Sequence, residues 1–231
     1  MKRLIVMAVS LLLALILAAP VAFAQAGQSS QPSSGQAGQL VAAWWQWALE
    51  EPSGQNPLEG SYDQSVPPGD IQCDGSNPSG VWFLGGSVSE SPVTRTCAAP
   101  TDTQLFYPVV NTIWVFTDGN DTEAEARDYL DGYMKAVLAD RTFNKTLVVT
   151  VDGKPVKSSS IGRADSPLFT LVVPKGSLFG PRVHPGEHQA MATGLWVTLP
   201  PLPEGEHTIH VEWSAPSIGF SQNITYHLTV G

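Results

Sequence analysis

The strongest constraint on the fold is a strict alternation of apolar and polar residues towards the end of the sequence. Every second residue is apolar over residues 208–213, and residues 224–230 repeat the pattern. Successive side chains of a β-strand point to opposite faces of a sheet, so each segment predicts a strand with one buried and one exposed face. Such strands are typical of antiparallel sheets that pack on one side.

Further segments are rich in β-branched and aromatic residues and are separated by glycine- and proline-containing turns, which favours about eight strands. Pro108 and Asn111 interrupt one of them, which predicts one bent strand or two. We predict a mainly β fold, an antiparallel β-sandwich of jelly-roll type. The additional strand segments are residues 81–84, 93–97, 105–116, 146–151, 168–173 and 195–199.

Two helices are expected beside these strands. Residues 39–50 place Leu40, Trp44 and Trp47 on one helical face, which predicts an N-terminal Trp-rich helix. Trp45 lies at the edge of that face, so we expect it to be the most exposed tryptophan, with the others packed in the core. A capping-box pattern, T-x-x-E from residue 122, begins a second, amphipathic helix inserted between strands.

The first residues have the pattern of an export signal. Lys2 and Arg3 precede an apolar run over residues 4–19, and the small-x-small triplet Ala-Phe-Ala occupies residues 22–24. This predicts a signal peptide over residues 1–24, with a retained membrane anchor as the alternative. A Gln-, Ser- and Gly-rich linker is expected over residues 25–38, and a single β-sandwich domain over residues 39–231.

Two cysteines, Cys73 and Cys97, remain in the exported chain. In an oxidising compartment such a pair predicts a disulfide bond. Closing a loop of about 25 residues would stabilise the fold by roughly 3.5 kcal/mol in the chain-entropy model. A metal-binding or catalytic pair of thiols is the alternative, and no histidine or further cysteine lies between the two residues to support it.

The net charge limits the classes of partner that are expected. The formal charge is −9 at pH 7, which argues against nucleic acid or an anionic membrane surface as a partner. No segment after the leader is apolar enough over 18 residues to span a membrane, so no membrane span is expected once the signal is cleaved.

Two weak patterns for metal binding occur. Asp118, Asn120 and Asp121 precede the second helix and offer hard oxygen ligands of the kind that calcium prefers, although a turn with a helix cap explains the same residues. If a hairpin places Val211 opposite Tyr226, His210 and His227 share its polar face, but no third ligand is evident and ordinary surface histidines are the alternative.

We find no local signature of catalysis. The sequence H-x-x-E-H begins at His184, yet Pro185 and Gly186 oppose the helix that a zinc-peptidase motif needs, which predicts a loop instead. His207 and His210 fall on opposite faces of one strand and are not expected to chelate one ion together. Asp128 and Asp131 lie on the polar side of the second helix, where solvated acids are the alternative to a glycosidase carboxylate pair.

Several longer motifs resemble those of a family of uncharacterised secreted prokaryotic proteins, over roughly residues 40–230. The family has no established activity, so the resemblance implies export, one domain and the strand pattern, and it transfers no catalytic residue. The motifs are WWQWAL from residue 44, GVWFLG from 80, RTC-x-x-P from 95, LFYPVVN from 105 and LPPLPEGEHTI from 199.

Together these patterns favour an exported, non-catalytic binding or structural module of the periplasm or the extracellular space. The expected partner is a glycan or an envelope protein, and no cofactor is expected. Two alternatives stay open. The first is a secreted polysaccharide hydrolase whose carboxylate pair is assembled only by the fold. The second is an envelope protein that binds calcium.

Overall fold

The computed structural model describes residues 31–52, 54–58, 73–76, 80–117, 119 and 121–231. The predicted signal peptide, residues 1–24, and the first part of the predicted linker, residues 25–30, lie outside the described residues. Those two expectations therefore stay predictions.

The described residues form three α-helices and eleven β-strands. The helices are α1 (Ser34–Leu49), α2 (Glu123–Ala139) and α3 (Arg141–Thr146). The strands are β1 (Asp74–Ser76), β2 (Trp82–Leu84), β3 (Val93–Ala99), β4 (Leu105–Val115), β5 (Val148–Val151), β6 (Lys154–Pro155), β7 (Ile161–Asp165), β8 (Phe169–Val173), β9 (Gly186–Leu199), β10 (Gly205–Ala215) and β11 (Phe220–Val230). Of the described residues, 42% lie in strands and 25% in helices, which confirms the mainly β class. None of the helices in this part of the chain is both long and apolar enough to cross a membrane.

The strands form two sheets. The first has the order β1-β2-β4-β9-β7, with β8 also paired to β9, and the second has the order β3-β11-β10-β5-β6. The pairs β2–β4 and β3–β11 are parallel, and the other pairs are antiparallel. The sheets are therefore mixed rather than purely antiparallel. Alternation in the sequence identifies the buried face of a strand, but it does not set the direction of its neighbour.

The two sheets pack face to face around one core. Tyr107 of β4 lies 6.2 Å from Tyr226 of β11, measured between ring centroids, and both side chains are fully buried. Trp213 of β10 donates its indole N–H to the carbonyl of Val109 on the opposite sheet, at 2.7 Å. These contacts and the shared apolar cluster confirm the sandwich.

Helix α1 covers the other face of the first sheet, which we call its outer face. Trp44 packs edge-on against Trp196 of β9, with ring centroids 5.2 Å apart. The helix begins at Ser34 because Ser33 and Gln36 form a capping box. The expected linker is therefore corrected for residues 34–38, and the helix starts five residues before the expected residue 39. Gly38 allows this extension, because a Cβ there would lie 2.6 Å from the carbonyl oxygen of Asp165.

Helix α2 begins at the predicted capping box of Thr122 and Glu125. Its buried residues Leu130, Met134 and Val137 belong to the apolar clusters, and α2 packs against β4 and β9 of the first sheet. Short α3 follows, capped by Asp140, whose carboxylate accepts from the backbone N–H groups of residues 142 and 143.

Strands β4 and β9 depart most from the sequence expectation. The segment containing Pro108 forms one strand, with a β-bulge between Pro108 and Val110 that accounts for the expected bend. Strand β9 is much longer than the expected residues 195–199. It is buried on both faces from Ala190 to Leu199, so no alternation marks it. The β10–β11 register places Val211 opposite Ile224, not opposite Tyr226 as expected.

The predicted disulfide bond is confirmed. Cys73, directly before β1, is bonded to Cys97 of β3, with the Cα atoms 5.6 Å apart and both side chains buried. The bond joins an edge of the first sheet to an edge of the second. Asp74 adds a second link at this edge, because its carboxylate accepts from the backbone N–H of Ala98 at 2.8 Å.

Removing this bond should weaken the sandwich substantially. We expect the double variant C73A/C97A to lose about 3.5 kcal/mol of unfolding free energy, because the unfolded chain regains the entropy of an open loop. Urea unfolding of the oxidised protein and the variant measures this difference, and added reductant should shift only the wild type. Equal midpoints for the oxidised wild type and the variant would contradict the expectation.

Candidate functional site

A cleft opens beside β4 because strand β2 is short. β2 pairs with β4 only through Trp82–Leu105 and Phe83–Phe106. Beyond Phe106, β9 is the sole strand partner of β4 among the described residues. Pro108, which has no backbone N–H to offer to a second neighbour, and the adjoining bulge suit this open edge.

The cleft has a volume of about 340 Å³. Six consecutive residues of β4, 108–113, form its floor, and α1, the end of the second sheet and α2 form its walls. Five of the side chains that line it are aromatic, namely those of Trp44, Trp45, Tyr133, Trp213 and Phe220.

Hydrogen bonds hold the walls in place. Trp44 Nε1 donates to the carbonyl of Leu84 at 3.0 Å, which fixes α1 against the end of β2. Gln222 Nε2 donates to the carbonyl of Ser87 at 2.8 Å, which ties the rim of the cleft to β11. Together with the Trp213–Val109 bond, these contacts give the cleft a preformed shape, as is typical of small-molecule sites.

Trp45 is not the exposed tryptophan that the sequence predicts. Its side chain is 7% exposed and lines the cleft beside Trp44, with the ring centroids 5.0 Å apart. The helical pattern places Trp45 at the edge of the apolar face, and the edge of that face is covered here. Trp44, Trp196 and Trp213 are buried as expected.

Polar groups without partners accompany the aromatic walls. Within the described part of the chain, Trp45 Nε1 and Asn111 Nδ2 are buried and have no hydrogen-bond acceptor, and both residues line the cleft. Trp196 Nε1 is also buried without an acceptor among these residues. An unpaired buried donor costs roughly 1–3 kcal/mol, so these groups make the packing beside the cleft less favourable than a fully paired arrangement.

Gly194 makes room for this cluster. It lies opposite Asn111 in the β4–β9 register. A Cβ at Gly194 would lie 2.8 Å from Asn111 Cβ, 2.9 Å from Trp196 Nε1 and 2.6 Å from the carbonyl oxygen of Val110. Any larger residue would therefore displace the Asn111 side chain.

The cleft carries no charge in the part that the structure describes. Its polar side chains there are amides and hydroxyls, including those of Ser87, Thr112 and Gln222. Burial raises the pKa of Tyr133 to about 12, with Tyr129 adding to the rise, so this side chain is a neutral phenol at physiological pH. The uncharged lining selects against an ionic ligand.

Sequence reasoning missed this site because its lining comes from several parts of the fold that are far apart in the sequence. Ser87 and Gln222 belong to no local motif. The sequence did mark part of the site, because Pro108 and Asn111 interrupt a strand pattern. Both residues lie beside the bulge at the floor of the cleft.

The predicted helix acids do not form a carboxylate pair in the cleft. No described residue that lines it carries a carboxyl group. Asp128 and Asp131 are exposed on α2, and Asp131 pairs with Arg163, which also contacts Asp165 at 3.0 Å. Because the guanidinium of Arg163 contacts both carboxylates, this arrangement is a salt-bridge cluster between α2 and β7.

The predicted calcium ligands are only partly described. Asp118 and Asn120 lie outside the described residues. Asp121 precedes α2, and its carboxylate accepts from the backbone N–H of Thr117 at 2.9 Å. That bond fits the turn-and-cap alternative, and the calcium site stays a prediction.

His210 and His227 lie on the exposed face of the second sheet. His210 is opposite Thr225 and His227 is opposite Thr208, so the two histidines are diagonal neighbours rather than a directly facing pair. His210 contacts Thr225 Oγ1 at 3.1 Å and Glu212 at 3.4 Å. Among the described residues, the single group of three metal-ligating side chains is that of Cys73, Asp74 and Cys97, whose sulfurs are bonded to each other.

The H-x-x-E-H segment is not helical, as expected. Gly186 has a φ of +133° and begins β9, so His184 and His188 do not face one metal from a single helix. His188 instead contacts two backbone oxygens, those of Phe116 at 3.1 Å and His184 at 2.7 Å.

Comparison with known proteins gives no relative for this arrangement: no protein-family model, no curated protein and no solved structure matches the chain. The resemblance to secreted prokaryotic proteins therefore stays a hypothesis based on its motifs.

His207 of β10 contacts two loops, namely the turn between β5 and β6 and the segment that precedes β10. Its Nδ1 lies 2.8 Å from Asp152 Oδ2 and its Nε2 lies 2.8 Å from the carbonyl oxygen of Pro203. Only the imidazolium can donate to both oxygens at once. The hydrogen bond to Asp152 and that to Pro203 raise the pKa of His207, and the bonds from His207 and Thr208 lower the pKa of Asp152.

This pair should make stability depend on pH. The raised pKa of His207 means that its contribution is complete below about pH 6.5 and is lost as the pH rises through the folded-state pKa. The lowered pKa of Asp152 means that its contribution is lost only in stronger acid. We expect H207N to destabilise the protein more at about pH 5.5 than at about pH 8.5.

Urea unfolding at the two pH values measures this difference. The matched control is H227N, which removes an exposed histidine of the same sheet that has no ion pair among the described residues. A destabilisation by H207N that is equal at both pH values would contradict the assignment.

Proposed function

We propose that this protein is an exported, non-catalytic β-sandwich that binds an uncharged sugar in the cleft beside β4. One observation carries the proposal: a cleft of about 340 Å³ is lined by five aromatic residues together with residues that carry uncharged amide and hydroxyl groups.

A sugar fits this combination of surfaces. A hexose ring has apolar C–H faces that pack on aromatic rings, and it has hydroxyl groups at its rim that pair with amides and hydroxyls. The volume lies at the lower end of the usual range of roughly 300–1,000 Å³ for small-molecule sites, which suits one or two sugar units. A neutral sugar can occupy such a cleft without burying a charge.

Export is part of the proposal. The leader pattern in residues 1–24 predicts it, and the buried bond between Cys73 and Cys97 is typical of proteins from oxidising compartments. The acidic net charge of −9 is compatible with a neutral glycan partner.

Blocking the mouth of the cleft tests the proposal. Val88 is 38% exposed on the rim, so an arginine there extends over the opening without entering the core. We expect V88R to weaken sugar binding by about tenfold or more, equivalent to roughly 1.4 kcal/mol. Isothermal titration with sugars first selected on a glycan array measures the effect.

The matched control is V172R. Val172 is 46% exposed on β8 and is not among the residues that line the cleft, so the same substitution there should leave sugar affinity unchanged. Thermal unfolding checks that both variants are folded. No binding to any neutral glycan, or equal affinities for V88R and the wild type, would overturn the proposal.

A further inference from the structure

The side of β8 that faces away from β9 carries two hydrogen bonds to side chains at the C-terminal end of α1. Gln46 Nε2 donates to the carbonyl of Thr170 at 2.8 Å, and the backbone N–H of Val172 donates to Glu50 Oε1 at 3.2 Å. Among the described residues, β9 is the single strand that pairs with β8, and we call the opposite side, where these bonds lie, the β8 edge. The two side chains therefore occupy the place of a neighbouring strand.

The helix and the strand have matching spacings at this contact. Glu50 caps α1 with helical backbone angles, so it lies four residues and about 6 Å along the helix from Gln46, on the same side. Thr170 and Val172 are two residues apart in a strand, which corresponds to about 6.6 Å. One end of α1 therefore satisfies an acceptor and a donor of the β8 edge at the same time.

The sequence of β8 explains why its edge needs cover. Residues 168–173 read LFTLVV, which is apolar or β-branched throughout and contains no charge, proline or glycine. Open edge strands of this composition pair readily with further strands, and natural proteins usually protect them with a charged residue or a proline. This run has neither, so the protection comes from Gln46 and Glu50.

From these contacts we propose that the β8 edge is a latent pairing surface for the same edge of a second copy, and that Gln46 and Glu50 keep it closed. The occupant follows from the geometry of the edge. Thr170 and Val172 direct their N–H and C=O groups away from β9, because both groups of one residue point to the same side in an antiparallel pair. About a two-fold axis, Thr170 of each copy lies opposite Val172 of the other, and every outward donor meets an acceptor.

The side chains of the edge suit this pairing as well. Thr170 and Val172 are both β-branched, which favours them as partners across two strands, and Val172 is 46% exposed. Pairing of the two edges also brings no like charges together within residues 168–173, although the whole chain carries a net charge of −9.

Removing the two polar groups should leave the fold intact. Phe169, Leu171 and Val173 of β8 are buried in the same apolar cluster as Trp44 of α1, and this packing holds the helix on the sheet. The residues of the β8 edge are not among those that line the cleft, so the inference does not depend on whether the cleft binds a sugar.

The double variant Q46A/E50A tests the inference. We expect the wild type to be a monomer, and the variant to dimerise at concentrations at least about tenfold lower, because the bonds between copies no longer compete with those to α1. Sedimentation velocity over a range of protein concentrations measures the mass of each species. Thermal unfolding checks that the variant is folded.

Two further variants identify the surface. Q39A/E51A removes the same two residue types from exposed positions near the same helix, with the same change of charge, and should stay a monomer. Q46A/E50A/V172K adds a charge to the β8 edge and should return to a monomer, because two lysines then lie in one interface and charged edges resist pairing. Association caused by partial unfolding would not be reversed by a charge at residue 172.

The contrary results are distinct. A Q46A/E50A protein that associates no more than the wild type would show that the two side chains do not keep the edge closed. Dimerisation that persists in Q46A/E50A/V172K, or that also occurs in Q39A/E51A, would place the interface elsewhere. Growth beyond a dimer would contradict a two-fold pairing that uses one edge of each copy.

Discussion

The central constraint is that the middle of the first sheet, where β9 pairs with β4, is buried on both faces. Every residue of β9 from Ala190 to Leu199 is buried, so this strand needs apolar cover on two sides. The second sheet supplies one cover and α1 supplies the other. A two-layer sandwich would leave the rings of Phe106 and Trp196, stacked with centroids 4.9 Å apart, facing water. The tryptophans of α1 therefore complete the core, as well as forming a wall of the cleft.

The cleft forms beside β4 because strand β2, its neighbour in the first sheet, ends early. Strand β2 stops at Leu84, and Gly85 turns the chain away with its backbone close to Pro57, where a Cβ would lie 2.6 Å from the carbonyl oxygen. Tyr226 holds this turn by donating its hydroxyl to the carbonyl of Gly85 at 2.7 Å. β4 therefore continues past β2 with its edge open, and the bulge and Asn111 lie on that stretch.

Alternation in the sequence predicts strands where one face is exposed, and runs of apolar residues also indicated β2 and β4, but neither signal revealed all of β9. Alternation located β10 and β11 and their inward residues correctly, because water covers their other faces. It did not reveal the first half of β9, which has no polar face, or β7, which has little buried surface and is held by pairing with β9. It also misplaced the hairpin register by two residues, because the turn before Phe220 was not part of the pattern.

The site was less predictable than the fold for a related reason. A local sequence pattern indicates which face of its own helix or strand is buried. The cleft, however, is lined by several elements that meet only in the folded protein. Trp45 illustrates this: it lies at the edge of the apolar face of its helix, yet it is 7% exposed and lines the cleft together with residues 108–113 of β4. The disulfide was predictable, because two cysteines in a sequence that begins with an export-signal pattern leave few alternatives.

The most direct measurement of the central claim is a titration of ¹⁵N-labelled protein with the neutral sugar that binds most tightly on a glycan array, followed by the indole N–H signals of the tryptophans in NMR spectra. The account predicts that the Trp45 signal shifts with sugar concentration, together with the side-chain amide of Asn111. The signal of Trp114, which is packed against Tyr129 outside the cleft, should stay in place. Shifts confined to the exposed face of the second sheet around His210, or no shift at Trp45 when sugar binds, would contradict the account.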